Sequence, residues 1–330
     1  MNCLLSTVCV VASLMQSEPS PGDQAGEPKS VAAIVSAQER ATIDRLRAYL
    51  ADHADAPDRD QAYLVIFETA IKNDWFLENE SIAATYLAGN PKGAVRPLAE
   101  VVVIMARAAA GEFGESFTRF QQLTTSLESL EQRDFVVSFA EQLTSQAVAA
   151  GEVEVATKLQ RLVMNRFADD AQARENASAE LARLEQIGKP AANLTLRGIS
   201  GESLNLSALR GKVVIIDFWA TYCVPCQVSI PELKGLHEAF RARGLEVISV
   251  SLDDEAALAS EFMKARGVGW AQVHNATCEE DVVAAFRVRK IPSLALIDKQ
   301  GRVVLLDARG EALRAAVERL LGPEAKALGR

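Results

Sequence analysis

The hydrophobic rhythm of the chain changes near residue 188. From about residue 36 to 187 apolar side chains recur at three- and four-residue spacing with almost no strand-like alternation, which predicts one helix after another. Ala109-Ala110-Gly111-Glu112-Phe113 returns about 40 residues later as Ala149-Ala150-Gly151-Glu152-Val153, and Lys72-Asn73-Asp74-Trp75 occupies a similar place earlier. Each is expected to mark a helix-to-helix turn. The pattern implies an all-α helical-hairpin array over 36–187, in which each pair buries its face against the next. Such an array either presents a concave protein-binding surface or supports its neighbour, and the pattern leaves both open.

The helical pattern stops at Gly188-Lys189-Pro190, where glycine and proline end the last helix. Alternation and β-branched runs then take over across 188–325. Leu194-Thr195-Leu196 and Leu204-Asn205-Leu206 flank a glycine-bounded turn and predict a hairpin; a strand follows over 213–219, a helix over about 223–242 and a strand over 246–252. Helices near 255–265 and 279–286, strands at 294–297 and 303–306, and a last helix over 312–321 complete the set.

At 330 residues and 49% hydrophobic side chains, the chain is long enough for two cores. A formal charge of −9 argues against nucleic acid as partner, because binding a polyanion requires clustered cations. Residues 1–15 form a short apolar run followed by a polar, proline-containing stretch, so 1–35 reads as an export signal and linker, although Lys29 is the first basic residue. This points to an extracytoplasmic (periplasmic or membrane-attached) location, with a cytoplasmic one as the alternative.

Of five cysteines, Cys3, Cys9 and Cys278 stand alone, whereas Cys223 and Cys226 form a C-x-x-C pair directly after the apolar strand. Such a pair serves as a redox dithiol, a structural disulfide or half of a metal site. No second ligand pair accompanies it, and His237 and His274 are isolated; His237 is expected to face solvent on the helix after the cysteines. No catalytic metal and no cofactor beyond the disulfide itself are therefore expected. A lone Cys278 reads as a small hydrophobe rather than a third redox thiol.

Four segments carry a family resemblance: Ile216-Asp217-Phe218-Trp219-Ala220, Cys223-Val224-Pro225-Cys226, Ile230-Pro231-Glu232-Leu233 and Lys290-Ile291-Pro292-Ser293. Together they resemble thioredoxin-like thiol-disulfide oxidoreductases, and the opening Ile187-Gly188-Lys189-Pro190-Ala191 with Pro231-Glu232-Leu233 resembles the extracytoplasmic TlpA and ResA branch. The resemblance covers about 187–321; the helical half resembles tetratricopeptide-like repeats only loosely. It implies an α/β thioredoxin fold, a central mixed sheet flanked by helices, preceded by the helical array. It also implies a thiol-disulfide oxidoreductase with a protein disulfide as substrate and a thiol electron donor as second partner. The Val224-Pro225 dipeptide lacks the histidine of strongly oxidising relatives, which favours a reductant.

Within this frame each residue has an expected role. A cysteine at a helix N-terminus is favoured as thiolate, so Cys223 is the expected nucleophile and Cys226, one turn inside, the resolving thiol; Pro225 fixes the first turn. Asp217 interrupts an apolar run and matches the family's buried acid, which accepts the proton of the buried thiol; an edge-exposed aspartate is the alternative. Pro292 resembles the family's cis-proline, with the backbone of Ile291 pairing with an extended substrate segment, against an ordinary trans turn. Tyr222 is the expected substrate contact and Trp219 chiefly packing. A peroxidase of the peroxiredoxin type expects a threonine three residues before its cysteine, and Thr221 stands two before. The rival class is an interaction protein whose thioredoxin-like part is a passive or redox-regulated scaffold.

Overall fold

A computed structural model describes residues 30–90, 92–125 and 130–323, the side chains of 130–132 apart, so Cys3, Cys9 and the expected export run lie outside the described residues. The chain divides into two compact units, Met1–Leu143 and Thr144–Arg330.

The first unit is helical. It holds α1 (Val31–Asp52), α2 (Arg59–Lys72), α3 (Phe76–Gly89), α4 (Arg96–Ala109), α5 (Phe113–Thr125) and most of α6 (Leu130–Ala149). Helix α1 opens at Val31 because the Ser30 side chain accepts the Ala33 N–H at 3.1 Å. The β-branched run Val101-Val102-Val103-Ile104 reads locally as strand, yet it sits mid-helix in α4 with every residue buried, because α2, α3 and α5 pack around it. Ile66, Phe67 and Ile104 are wholly buried, each worth about 1.5–3 kcal/mol.

The three turn motifs share one helix ending. Asp74, Gly111 and Gly151 adopt φ of 57°, 81° and 82°. The next residue's N–H reaches five residues back, from Trp75 to Ala70 O (2.9 Å), Glu112 to Arg107 O (2.8 Å) and Glu152 to Ala147 O (2.7 Å). The glycines occupy a left-handed conformation that costs other side chains energy.

The second unit begins in α6 and adds α7 (Val153–Arg166) and α8 (Ala171–Leu184) before any strand, so these helices group with the sheet. A hairpin of β1 (Thr195–Arg197) and β2 (Ser203–Asn205) precedes β3 (Val213–Trp219), α9 (Val224–Phe240), β4 (Leu245–Ser251), α10 (Ala256–Ala265), β5 (Ala271–His274), α11 (Val282–Ala285), β6 (Ser293–Ile297), β7 (Val303–Leu306) and α12 (Gly310–Leu321). The five-stranded sheet has the order β5-β4-β3-β6-β7, with β3, β4 and β5 parallel and β6 and β7 antiparallel. This is the expected thioredoxin fold. All seven residues of the central β3 are buried, as a strand covered on both faces requires.

Both sheet rims carry short added pairings. The segment leaving α8 lies along β7, where Gly188 N donates to Val303 O (2.7 Å) and Val303 N to Lys189 O (3.0 Å). At the opposite rim Gly198 bridges Val273, and Ile199 N donates to Gln272 O at 2.7 Å.

Two local expectations need correction. β5 is a strand where none was read, because its four residues are held by pairing to β4 rather than by their own pattern. The helix expected over 279–286 shrinks to Val282–Ala285, where the Asp281 side chain caps it by accepting Ala284 N.

Candidate active site

The strand β3 delivers the chain into the site. Its Val213 and Ile215 belong to the core shared with Leu233 and Leu236 of α9 and with Leu313 and Val317 of α12. Strand alternation puts Asp217 and Trp219 on that same face. Cys223 is the N-cap of α9, its Sγ accepting the Cys226 N–H at 3.2 Å, and Pro225 stands in the first turn, where its missing N–H costs no helical bond. Cys223 and Cys226 are joined by a disulfide with Cα atoms 5.2 Å apart. Cys223 is 8% exposed and Cys226 1% exposed, so the first sulfur is the more accessible of the two.

Around the disulfide, Trp219, Ala220, Ile230, Ala259 and Met263 form an apolar cluster, and Ile291 packs against it. The Ile291–Pro292 peptide bond is cis. Trp219 is fully buried, whereas Tyr222 is 69% exposed, with Val224 and Val228 also exposed beside it. Trp219 is thus a packed side chain and Tyr222 an open one.

Asp217 is 1% exposed, and neither of its carboxyl oxygens has a hydrogen-bond partner. Burial pushes its pKa up to about 6, against the opposing pull of the Arg309 guanidinium and of the Ser249 hydroxyl; the charge of Glu232 raises it further. Arg309 Nη1 lies 3.6 Å from Asp217 Oδ1, a Coulombic contact rather than a hydrogen bond, and both its terminal nitrogens are buried without a partner. Glu232 of α9 accepts the Gly310 N–H at 2.6 Å, next to Arg309. Asp217, Arg309 and Glu232 thus form one charged group, with Glu232 on the helix that carries the buried sulfur. Arg309 went unnoticed in the sequence. The available signal is a cation at the start of a helix, where the dipole disfavours it unless another charge compensates.

A second group also escaped sequence reading. Asp253, 4% exposed, accepts both Thr221 N (2.9 Å) and Thr221 Oγ1 (2.6 Å) on one oxygen and Ser251 Oγ (2.8 Å) on the other. Thr221 O in turn accepts Gln227 Nε2 at 2.6 Å, so the turn before Cys223 is pinned from both sides.

The remaining candidates lie apart from the dithiol. His237 does not face solvent freely: it is half-buried edge-on against Trp270, with ring centroids 5.4 Å apart, and burial lowers its pKa. His274 is buried, its Nε2 2.6 Å from Asp253 O. Cys278 is a free, half-buried thiol against His274 O. Among the described residues no group of three or more His, Cys, Asp or Glu is placed to hold a metal ion.

The sequence profile of the AhpC/TSA family matches residues 187–306. Thiol-disulfide oxidoreductase ResA of Halalkalibacterium halodurans is 30% identical over 144 residues, covering 43% of this chain and 81% of that protein. The chain belongs to the ResA-like thiol-disulfide oxidoreductases. ResA of Bacillus subtilis is 32% identical over 117 residues, 36% of this chain and 64% of its own length. Among solved structures, the thioredoxin domain of a thiol-disulfide oxidoreductase from Bacteroides vulgatus is 26% identical with a TM-score of 0.38, covering 41% of this chain and 98% of that one. A thiol:disulfide interchange protein DsbE of Chlorobium tepidum is 29% identical with a TM-score of 0.38 over the same 41% of this chain. The AhpC/TSA match, at 187–306, lies within the second unit. The family works through a cysteine redox centre, which here is the Cys223–Cys226 disulfide.

Proposed function

We propose that this ResA-like protein is a reductant of disulfides in extracytoplasmic proteins, with Cys223 as nucleophile and Cys226 as resolving thiol. The observation that carries the reading is the asymmetry of the disulfide: Cys223 caps α9 at the more exposed end and Cys226 lies buried one turn inside.

Deprotonated Cys223 Sγ attacks one sulfur of the partner disulfide, forming a mixed disulfide and expelling the partner's other sulfur as thiolate. Cys226 then gives its proton to the Asp217 carboxylate and attacks Cys223 Sγ. That step restores the Cys223–Cys226 bond and releases the partner's second thiolate, so two electrons have passed to the partner. A carboxyl with a pKa of about 6 accepts a proton near neutral pH without holding it permanently. The backbone of Ile291 docks the partner's extended segment, Tyr222 supplies the exposed apolar contact, and Trp219 and Pro225 hold the frame. A separate thiol donor re-reduces the dithiol.

The reductant direction is supported by the Val224-Pro225 dipeptide, which offers no histidine to favour the Cys223 thiolate. The extracytoplasmic placement is supported by the resemblance to the TlpA and ResA branch; no helix among the described residues is long and apolar enough to cross a membrane. Equilibrating the protein in graded dithiothreitol and glutathione buffers, and counting alkylated Cys223 and Cys226 by mass, yields the reduction potential. A value below about −220 mV is expected, and one near about −120 mV overturns the direction of flow.

A further inference from the structure

The second unit contains a buried cation that the thiol chemistry does not use. Arg183, near the end of α8, has a side chain 6% exposed. Its Nη2 donates to Asp307 Oδ2 at 2.7 Å and to Ser293 Oγ at 3.1 Å, while Nη1 donates to Glu180 Oε1 at 3.2 Å. Ser293 directly follows the cis Ile291–Pro292 bond and opens β6.

Asp307 is itself held in an unusual state. It adopts a left-handed φ of 53°, and its Oδ1 accepts both Ser293 Oγ (2.8 Å) and Leu294 N (2.9 Å). A non-glycine residue keeps such a conformation where its surroundings fix it. Here its carboxylate is shared between the start of β6 and the guanidinium of α8. The same helix also holds the loop before Ile291, since Arg289 donates to Asn176 O (2.9 Å) and Asn176 Oδ1 (2.6 Å). Just past the helix, Gln186 Nε2 donates to Ala285 O at 3.3 Å. Thus α8 grips the segment leading into the cis bond from one side and the segment leaving it from the other.

We propose that Arg183 is a positioning residue for the thiol-disulfide reaction: through Asp307 and Ser293 it sets the Ile291–Pro292 loop, making the last helix of the helical run a working part of the redox site. The inference rests on the reading of Ile291 as the residue that docks the substrate segment. Loss of the guanidinium leaves Asp307 with an unmatched charge and Ser293 tied to Asp307 alone, so the loop shifts while the two cysteines, carried on α9, stay in place.

The test uses the full chain with insulin as protein disulfide and dithionitrobenzoate as small disulfide. Because a displacement of about 1 Å costs about a hundred-fold, Arg183→Met with a partial shift is expected to raise KM for insulin about ten-fold at unchanged kcat, with the small-disulfide rate within about two-fold of wild type. A lowered Tm with an unchanged insulin KM means a purely structural role and overturns the proposal. Should Arg183→Met not fold, Arg183→Lys keeps the charge but not the two-pronged donor, and an insulin KM raised about three-fold is expected. An unchanged value there overturns the proposal too. Pro292→Ala separates the two layers. If it raises the insulin KM and neither Arg183 variant does, only the role of Arg183 falls; if it leaves KM unchanged, the docking role of the loop falls and takes the proposal with it.

Discussion

Replacing Asp217 by Asn should make the oxidised protein more stable at neutral pH, by an amount that depends on pH in a fixed direction. The carboxyl is 1% exposed, lacks a hydrogen-bond partner and has its nearest cation at 3.6 Å, so its ionised form is poorly supported. Its folded pKa stands at about 6 against an ordinary 3.8. Below the lower value both the folded and unfolded chains hold the proton. Between the two the unfolded chain ionises first and is favoured, and above the upper value the loss is complete. At about 1.36 kcal/mol per pH unit, that interval corresponds to about 3 kcal/mol, of which about 2–3 kcal/mol develops between pH 4 and pH 8. Asn keeps the shape without the titration, so the variant's advantage should widen by that amount over this range and level off above about pH 7. Urea unfolding in a Trp75→Phe background, followed by the fluorescence of Trp219 and Trp270, reads the second unit. Parallel stability curves for Asp217→Asn and its parent from pH 4 to 8 would refute the claim that this carboxyl titrates between folded and unfolded states. The same substitution should slow release of the mixed disulfide while sparing its formation, a trade of activity for stability.

Other perturbations test the remaining parts. Cys223→Ser should abolish turnover, and Cys226→Ser should accumulate mixed disulfides visible on non-reducing gels; equal loss without adducts sinks the assigned roles. Removing the opposing charge with Arg309→Met should move the inflection of the resolution rate upward by about one pH unit or more, read from single-turnover rates between pH 5 and 9. Asp253→Asn should loosen the turn before Cys223 and lower the rate of its alkylation about ten-fold, since Thr221 loses a charge-assisted acceptor; unchanged alkylation would assign Asp253 to stability alone.

The parts of the fold legible in the sequence are those written in consecutive residues. β3 reads as a strand because Val213-Val214-Ile215-Ile216 is an unbroken apolar run, and the cysteine pair one turn later announces the site. The helix ends at Gly111 and Gly151 are equally local, as only a residue comfortable at positive φ closes that turn. What stayed hidden depends on tertiary contact. Arg309, Asp253 and Arg183 gain their partners only when the fold brings them to Asp217, Thr221 and Ser293. β5 was hidden for the same reason, because a four-residue strand is defined by its neighbour β4.

The short pairings at the two rims of the sheet decide what a second polypeptide can do here. An unpaired strand edge is a template for any extended chain, and both edges of this sheet are already occupied near Val303 and Val273 by the stretch that joins α8 to β3. A partner that adds a strand there must first displace those pairings, which favours the proposed docking at the Ile291 loop. A chain shortened to begin at β3 would keep every sulfur and carboxyl of the site, yet bare both rims. Such a shortened chain should aggregate more steeply with concentration than the intact one, as light scattering of the two would show.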